Sequence, residues 1–164
     1  MNTLRLPTLM LISILLAACG EPVEPDEQFV KVHFHYGFRN ELNTFEHNYQ
    51  KDLVMDGVAT TEFWLTTTEQ EALLIKATQC GFFDLPDTII QPWDTVMVVI
   101  DPNPGPQFLR LQHEAQDHLV TWFYPLPEDT VYLPRLIELA VCLIDLIESK
   151  QAYKSLPPAR GGYI

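Results

Sequence analysis

From Phe29 to Phe38 the chain reads FVKVHFHYGF, and apolar side chains recur at every second position. Val30, Val32, Phe34, Tyr36 and Phe38 fall on one side; Lys31, His33, His35 and Arg39 fall on the other. Period two is the repeat of an extended strand with one face buried and one face wet. Such a strand needs neighbours and a covering layer, so this segment already points to a sheet packed on something else.

The residues downstream supply both. NEL, residues 40–42, reads as a loop, and NTFEHNYQKDLV, residues 43–54, as a second strand with weaker alternation. Met55 to Gly57 is a turn, and TTEFWLTT, residues 60–67, is a third strand rich in β-branched and aromatic residues. Then the period changes. Thr68 followed by Glu71 matches a capping box, and Leu73, Leu74, Ala77 and Cys80 recur at helical spacing. Gly81 suits the left-handed position after a helix, with Pro86 beyond it. Phe82, Phe83 and Leu85 are placed to plug the core there.

A similar order follows. DTVMVVI, residues 94–100, reads as a strand, DPNPGP as a proline-locked turn, QFLRLQH as the return strand and HLVTWFY, residues 118–124, as a third. PLPED leads into a long helix with Pro134 in its first turn, where a missing N–H costs nothing. Leu133, Leu136, Ile137, Ala140, Ile144 and Ile147 form its apolar face, widened by Leu139, Val141, Leu143 and Leu146; Glu138, Asp145 and Glu148 mark its wet edge. A helix so broadly apolar is expected to be buried on more than one side. The order βββα–βββα predicts an α+β domain of two layers, an antiparallel sheet with two helices on one face.

The N-terminus concerns address rather than fold. One cation, Arg5, precedes an apolar run from Leu9 to Ala18 broken only by Ser13, too short for the ~20 residues a spanning helix needs. A basic start, a short apolar core and small residues before a cut site describe a secretory signal, here residues 1–18. The cut site LAAC resembles the lipobox of bacterial lipoproteins, which makes Cys19 the lipid carrier and new N-terminus. An ordinary signal peptide cut after Ala18, leaving Cys19 a free thiol, is the alternative. Gly20 stands where an aspartate would resemble an inner-membrane retention signal, so the expected address is the outer membrane, facing the periplasm. Residues 19–28 form a lipidated cysteine and an acidic, proline-containing tether that cannot bury enough to fold. Residues 29–155 form the single domain and 156–164 a C-terminal tail.

The formal charge of −12 grows more negative when Arg5 leaves with the signal. That excludes nucleic acid as a partner and disfavours anionic lipid at the domain's own surface. Cys80 and Cys142 remain, either bridged in an oxidising compartment or buried as thiols.

Three stretches carry a family resemblance: ELNTF with Lys51 and Asp52 downstream, GFFDLP, and the ending AYKSLPPARGGYI. Together they resemble a group of small bacterial lipoproteins of uncharacterised function. The resemblance implies a lipid-anchored address and one small domain, and carries over no catalytic or binding residue. The histidine strand is not part of its pattern.

His33 and His35 lie about 6.8 Å apart on one strand face. A His-x-His pair holds zinc when a third ligand comes from a neighbour, here His47, His113 or His118. The competing reading is a polar, solvated sheet face. Asp101 and Asn103 lack the further carboxylates of a calcium loop and read as turn residues. Lys51 and Asp52, adjacent on a strand, should face opposite sides. No nucleophile-elbow, zinc-protease or phosphate-loop motif is present, so no catalytic residue and no cofactor is assigned. The tail supplies Arg160, Gly161, Gly162 and Tyr163, residue types that anchor interfaces or permit close approach. It either wraps onto its own domain or docks an envelope protein. The expected role is a binding module; a metal-binding lipoprotein using His33 and His35, or an envelope hydrolase with an unrecognised site, are the alternatives.

Overall fold

The computed structural model describes residues 28–89, 103–123 and 132–163. Among the described residues seven strands form one open sheet, in the order β4 (Val58–Glu62), β3 (Asn48–Asp52), β2 (Asn40–Asn43), β1 (Val30–Tyr36), β6 (Gln107–His113), β7 (Gln116–Trp122) and β5 (Thr88–Ile89). β1, β2, β3 and β4 form an antiparallel meander. β6 pairs antiparallel with β1 and with β7, and the two-residue β5 lies parallel to β7. Helices α1 (Thr67–Gln79) and α2 (Leu133–Ser149), with the short α3 (Gln151–Lys154), complete an α+β domain.

The alternation of β1 is borne out. Val30, Val32 and Phe34 are buried; Val32 pairs in register with Leu111, and Phe34 with Leu109 and Leu42, which are buried too. Tyr49, Val120 and Trp122 continue this face, and the buried residues of α1 and α2 join it in one core.

The element order departs from expectation before α1, where four strands stand instead of three. Residues 40–42, expected as a loop, lie in β2, and 43–54 breaks at a turn over 44–47. Gly37, at φ 64, closes the β1–β2 hairpin. Thr44 is buried and bonds back to β1: its N–H donates to the Val32 carbonyl at 2.8 Å and its hydroxyl accepts from the Val32 N–H at 2.7 Å. The Asn43 side chain accepts from the Phe45 N–H at 3.1 Å, and His47 turns the chain at φ 55. Side chains that capture neighbouring backbone end a strand as effectively as glycine or proline. The third strand ends at Glu62, short of the expected 67. The expected strand 94–100 lies outside the described residues.

The capping box sits two residues early. Thr66, not Thr68, caps α1: the Glu69 N–H donates to its hydroxyl at 3.3 Å, and its own N–H donates to the Glu69 carboxylate at 2.8 Å. The run TTTEQE contains both matches. The earlier one wins because it turns Gln70, Leu73 and Ala77 into the core. Gly81, at φ 62, follows the C-cap as expected, and Phe82 and Leu85 are buried beyond it.

α2 buries Leu136, Leu139, Leu143 and Ile147 along one stripe. The expectation of burial on more than one side fails among the described residues: Ile137 is 43 % exposed and Val141 48 %. α1 and the sheet cover one side, and the opposite side has no cover there.

Beneath α3 lies a buried phenol pair. The Tyr36 and Tyr49 hydroxyls stand 2.8 Å apart, with Tyr49 fully buried. Burial pushes the Tyr36 phenol up to about 12 from its ordinary 10.0 and raises Tyr49 further. Below pH 10 both phenols are protonated, folded or unfolded. Above it the unfolded chain loses those protons while the folded chain keeps them, so stability falls from pH 10 through pH 12, by up to about 1.4 kcal/mol per pH unit for each phenol. Urea midpoints between pH 9 and 11 should fall accordingly, and Tyr49→Phe should flatten the fall.

Candidate interaction surface

The odd-numbered residues of β1 point away from the helices, and strand register assembles their neighbours. His33 lies beside Asn43 and Arg110, and His35 beside Glu41 and Phe108. Across β6, Phe108 meets Thr121, Arg110 meets Leu119 and Gln112 meets Asp117. These side chains hold one another. The His33 Nε2 lies 2.6 Å from Glu41 Oε1, and its ring stands edge-on to Phe108 at 4.8 Å. His35 stacks on Phe108 at 5.6 Å. Arg110 forks onto Asp117, Nε donating to Oδ1 at 2.8 Å and Nη2 to Oδ2 at 2.6 Å, and that bond holds the Asp117 carboxyl below its usual range. The same guanidinium lies 4.7 Å from the Phe45 ring centroid, with Lys31 Nζ at 5.7 Å. The result is a half-buried face of aromatic rings, imidazoles and a fixed guanidinium that no other element among the described residues covers.

The predicted histidines divide. His33 and His35 share this face, but His47 stacks on Trp64 at 3.7 Å, His113 Nδ1 lies 3.2 Å from the Phe29 carbonyl and His118 Nε2 lies 2.9 Å from the Leu85 carbonyl. Among the described residues no group of three His, Cys, Asp or Glu side chains is close enough to hold a metal ion. Asn103 makes a turn, its side chain accepting from the Gly105 N–H at 2.8 Å; Asp101 lies outside the described residues, as does Cys19. Cys80 and Cys142 are free thiols, the first buried and its pKa raised by that burial.

The tail lies on its own domain. Arg160 forks onto Asp56 with both contacts at 2.7 Å, and its backbone pairs with Val54 in a parallel bridge. Gly161, at φ 84, passes so close to Met55 that a Cβ would lie 2.8 Å from Sδ. Tyr163 stacks on Phe38 at 3.6 Å; its hydroxyl donates to Asp52 at 2.6 Å and accepts from Arg39 at 3.0 Å. A Cβ at Gly162 would meet nothing within 4 Å among the described residues. Lys51 and Asp52 do face apart: Lys51 Nζ sits 4.2 Å from the Tyr153 ring, and Asp52 pairs with Arg39 at 3.0 Å.

Sequence reasoning missed Glu41, Phe45, Phe108 and the Arg110–Asp117 fork. The alternation of QFLRLQH sets Phe108 and Arg110 on one side, but only the β1–β6 register brings that side to the histidines. No family model, no curated protein and no solved structure matches this chain.

Proposed function

We propose that this chain is a lipid-anchored lipoprotein of the bacterial cell envelope, held through acylated Cys19 at the outer membrane, and that its periplasm-facing domain binds a protein rather than catalysing a reaction. The domain is read as a two-layer α+β module with both helices on one face, which leaves the other face free for a partner. The observation that carries the reading is the sheet face opposite the helices, which no helix among the described residues covers. Its rings and guanidinium are fixed by neighbours before any partner arrives, and preorganised aromatic and arginine side chains lose little entropy on binding. Acyl chains on Cys19 supply about 0.8 kcal/mol per buried methylene, and two or more chains hold a protein stably on a bilayer.

A photoreactive phenylalanine analogue at position 108, irradiated in intact cells, is expected to give a heavier adduct that is missing when the analogue replaces Lys154. No adduct at 108 would refute the binding face. Growth with labelled palmitate should label the wild type and leave Cys19→Ala unlabelled; label persisting on the variant would refute the anchor.

A further inference from the structure

Among the described residues the helical layer carries a second uncovered surface. α2 carries apolar residues beyond the one stripe it buries. Ile137, Val141 and, from α1, Ile75 are exposed, the last by 58 %. Ala72, Ile75, Val141 and Cys142 line a groove between the two helices, crossed by the Lys76–Glu138 ion pair. Such an apolar surface on a charged domain marks an interface.

The charges on α2 indicate what fits there. Its first turn carries Arg135 and no acid; its last turns carry Asp145 and Glu148 and no base. This is the reverse of what the helix dipole favours. Lys150, just past the end, is committed to Glu69 at 2.7 Å. Neither Arg135 nor Asp145 has an ion-pair partner among the described residues. A second α2 laid antiparallel across the first corrects both ends at once: Arg135 of each copy reaches the acidic end of the other, the dipoles oppose, and Val141 meets Val141 near the two-fold axis. The arrangement is self-complementary, as a two-fold interface must be. An anionic lipid surface would meet Glu138, Asp145 and Glu148 instead and be repelled.

We propose that two copies of this chain associate through the outer face of α1 and α2, with α2 antiparallel to its symmetry mate. The test is the protein mass of the full chain in dodecyl maltoside micelles, from light scattering corrected for detergent, up to 100 µM (about the upper range for a weak dimer). The expected result is twice the chain mass. Val141→Glu should weaken association at least about tenfold. Arg135→Glu should weaken it roughly tenfold and Arg135→Glu/Asp145→Arg should restore it, because the pair is exchanged across the axis. A single-chain mass throughout, with or without flotation on vesicles, overturns the proposal. So does a dimer that survives Val141→Glu, or a charge exchange that fails to restore one.

Discussion

Gln70→Leu is expected to lower the unfolding free energy by roughly 2–4 kcal/mol, from the desolvated groups it strands. Gln70 belongs to α1 but serves β1. It is fully buried, and its Oε1 accepts from the Phe29 N–H at 2.8 Å and from the Val30 N–H at 3.0 Å. Its Nε2 donates to the Leu65 carbonyl at 3.2 Å, which also accepts from Gln28 at 2.8 Å. One amide side chain thus satisfies the backbone where β1 begins. Leucine has nearly the same volume, so little cavity forms and the cost is polar. The Val30 N–H left buried and unpaired costs about 1–3 kcal/mol, and the part-buried Phe29 N–H less. Urea unfolding checks this: the midpoint should fall with the slope unchanged, because the exposed surface is unchanged. A loss under about 1 kcal/mol would mean that water or a shifted strand replaces the amide. Gln70 also shows why α1 begins where it does, since a helix capped at Thr68 would swing this residue off the sheet.

Part of the fold is legible in the order of residues alone. β1 and β6 alternate without interruption, so their buried faces follow from period two. Gly81 and Pro86 mark the end of α1 correctly, since backbone preference needs no tertiary context. The failures share one cause, contact between residues far apart in sequence. Asn43 and Thr44 look like strand residues by composition; the chain turns after Asn43 because Thr44 finds Val32 across the hairpin. Thr66 and Thr68 are equally good caps locally, and the core decides between them. β5 is two residues long and exists only because β7 lies beside it. The sheet face is half legible: one parity of β1 shows His33 and His35, while Glu41, Phe108 and Arg110 arrive through strand order. For α2 the apolar count exceeds what one sheet and one helix can cover, and the surplus becomes surface.

Removing residues 157–164 is expected to destabilise the domain, lowering the melting temperature by roughly 3–6 °C for a chain of this size. The tail's hold centres on Asp52, whose side chain is 5 % exposed. Its carboxylate accepts from Arg39, from the Tyr163 hydroxyl and, at 2.9 Å, from the Val54 N–H. The carboxylate is buried but its donors Arg39 and Tyr163 are exposed, so water screens part of what these charge-assisted bonds contribute. Val54 adds a second stake. It is β-branched yet sits at φ 61, a conformation costing on the order of 1–3 kcal/mol that persists only where surroundings impose it. Arg39 donates to its carbonyl at 2.8 Å, and Arg160 pairs with it from the tail. Removing the tail takes away Tyr163 and Arg160 together and leaves that strain less supported. Tyr163→Phe, which keeps the stack on Phe38 and deletes the hydroxyl's bonds to Asp52 and Arg39, should lower the melting temperature by less than the truncation does. Asp52→Ala should cost more, since Arg39, Tyr163 and Val54 all lose their acceptor. The pair of substitutions should be less than additive, because both remove the same bond. A truncated chain that melts like the intact one would show that these contacts carry no stability. If it also lost its cross-linked adduct, the tail would belong to the partner's binding surface and not to the core.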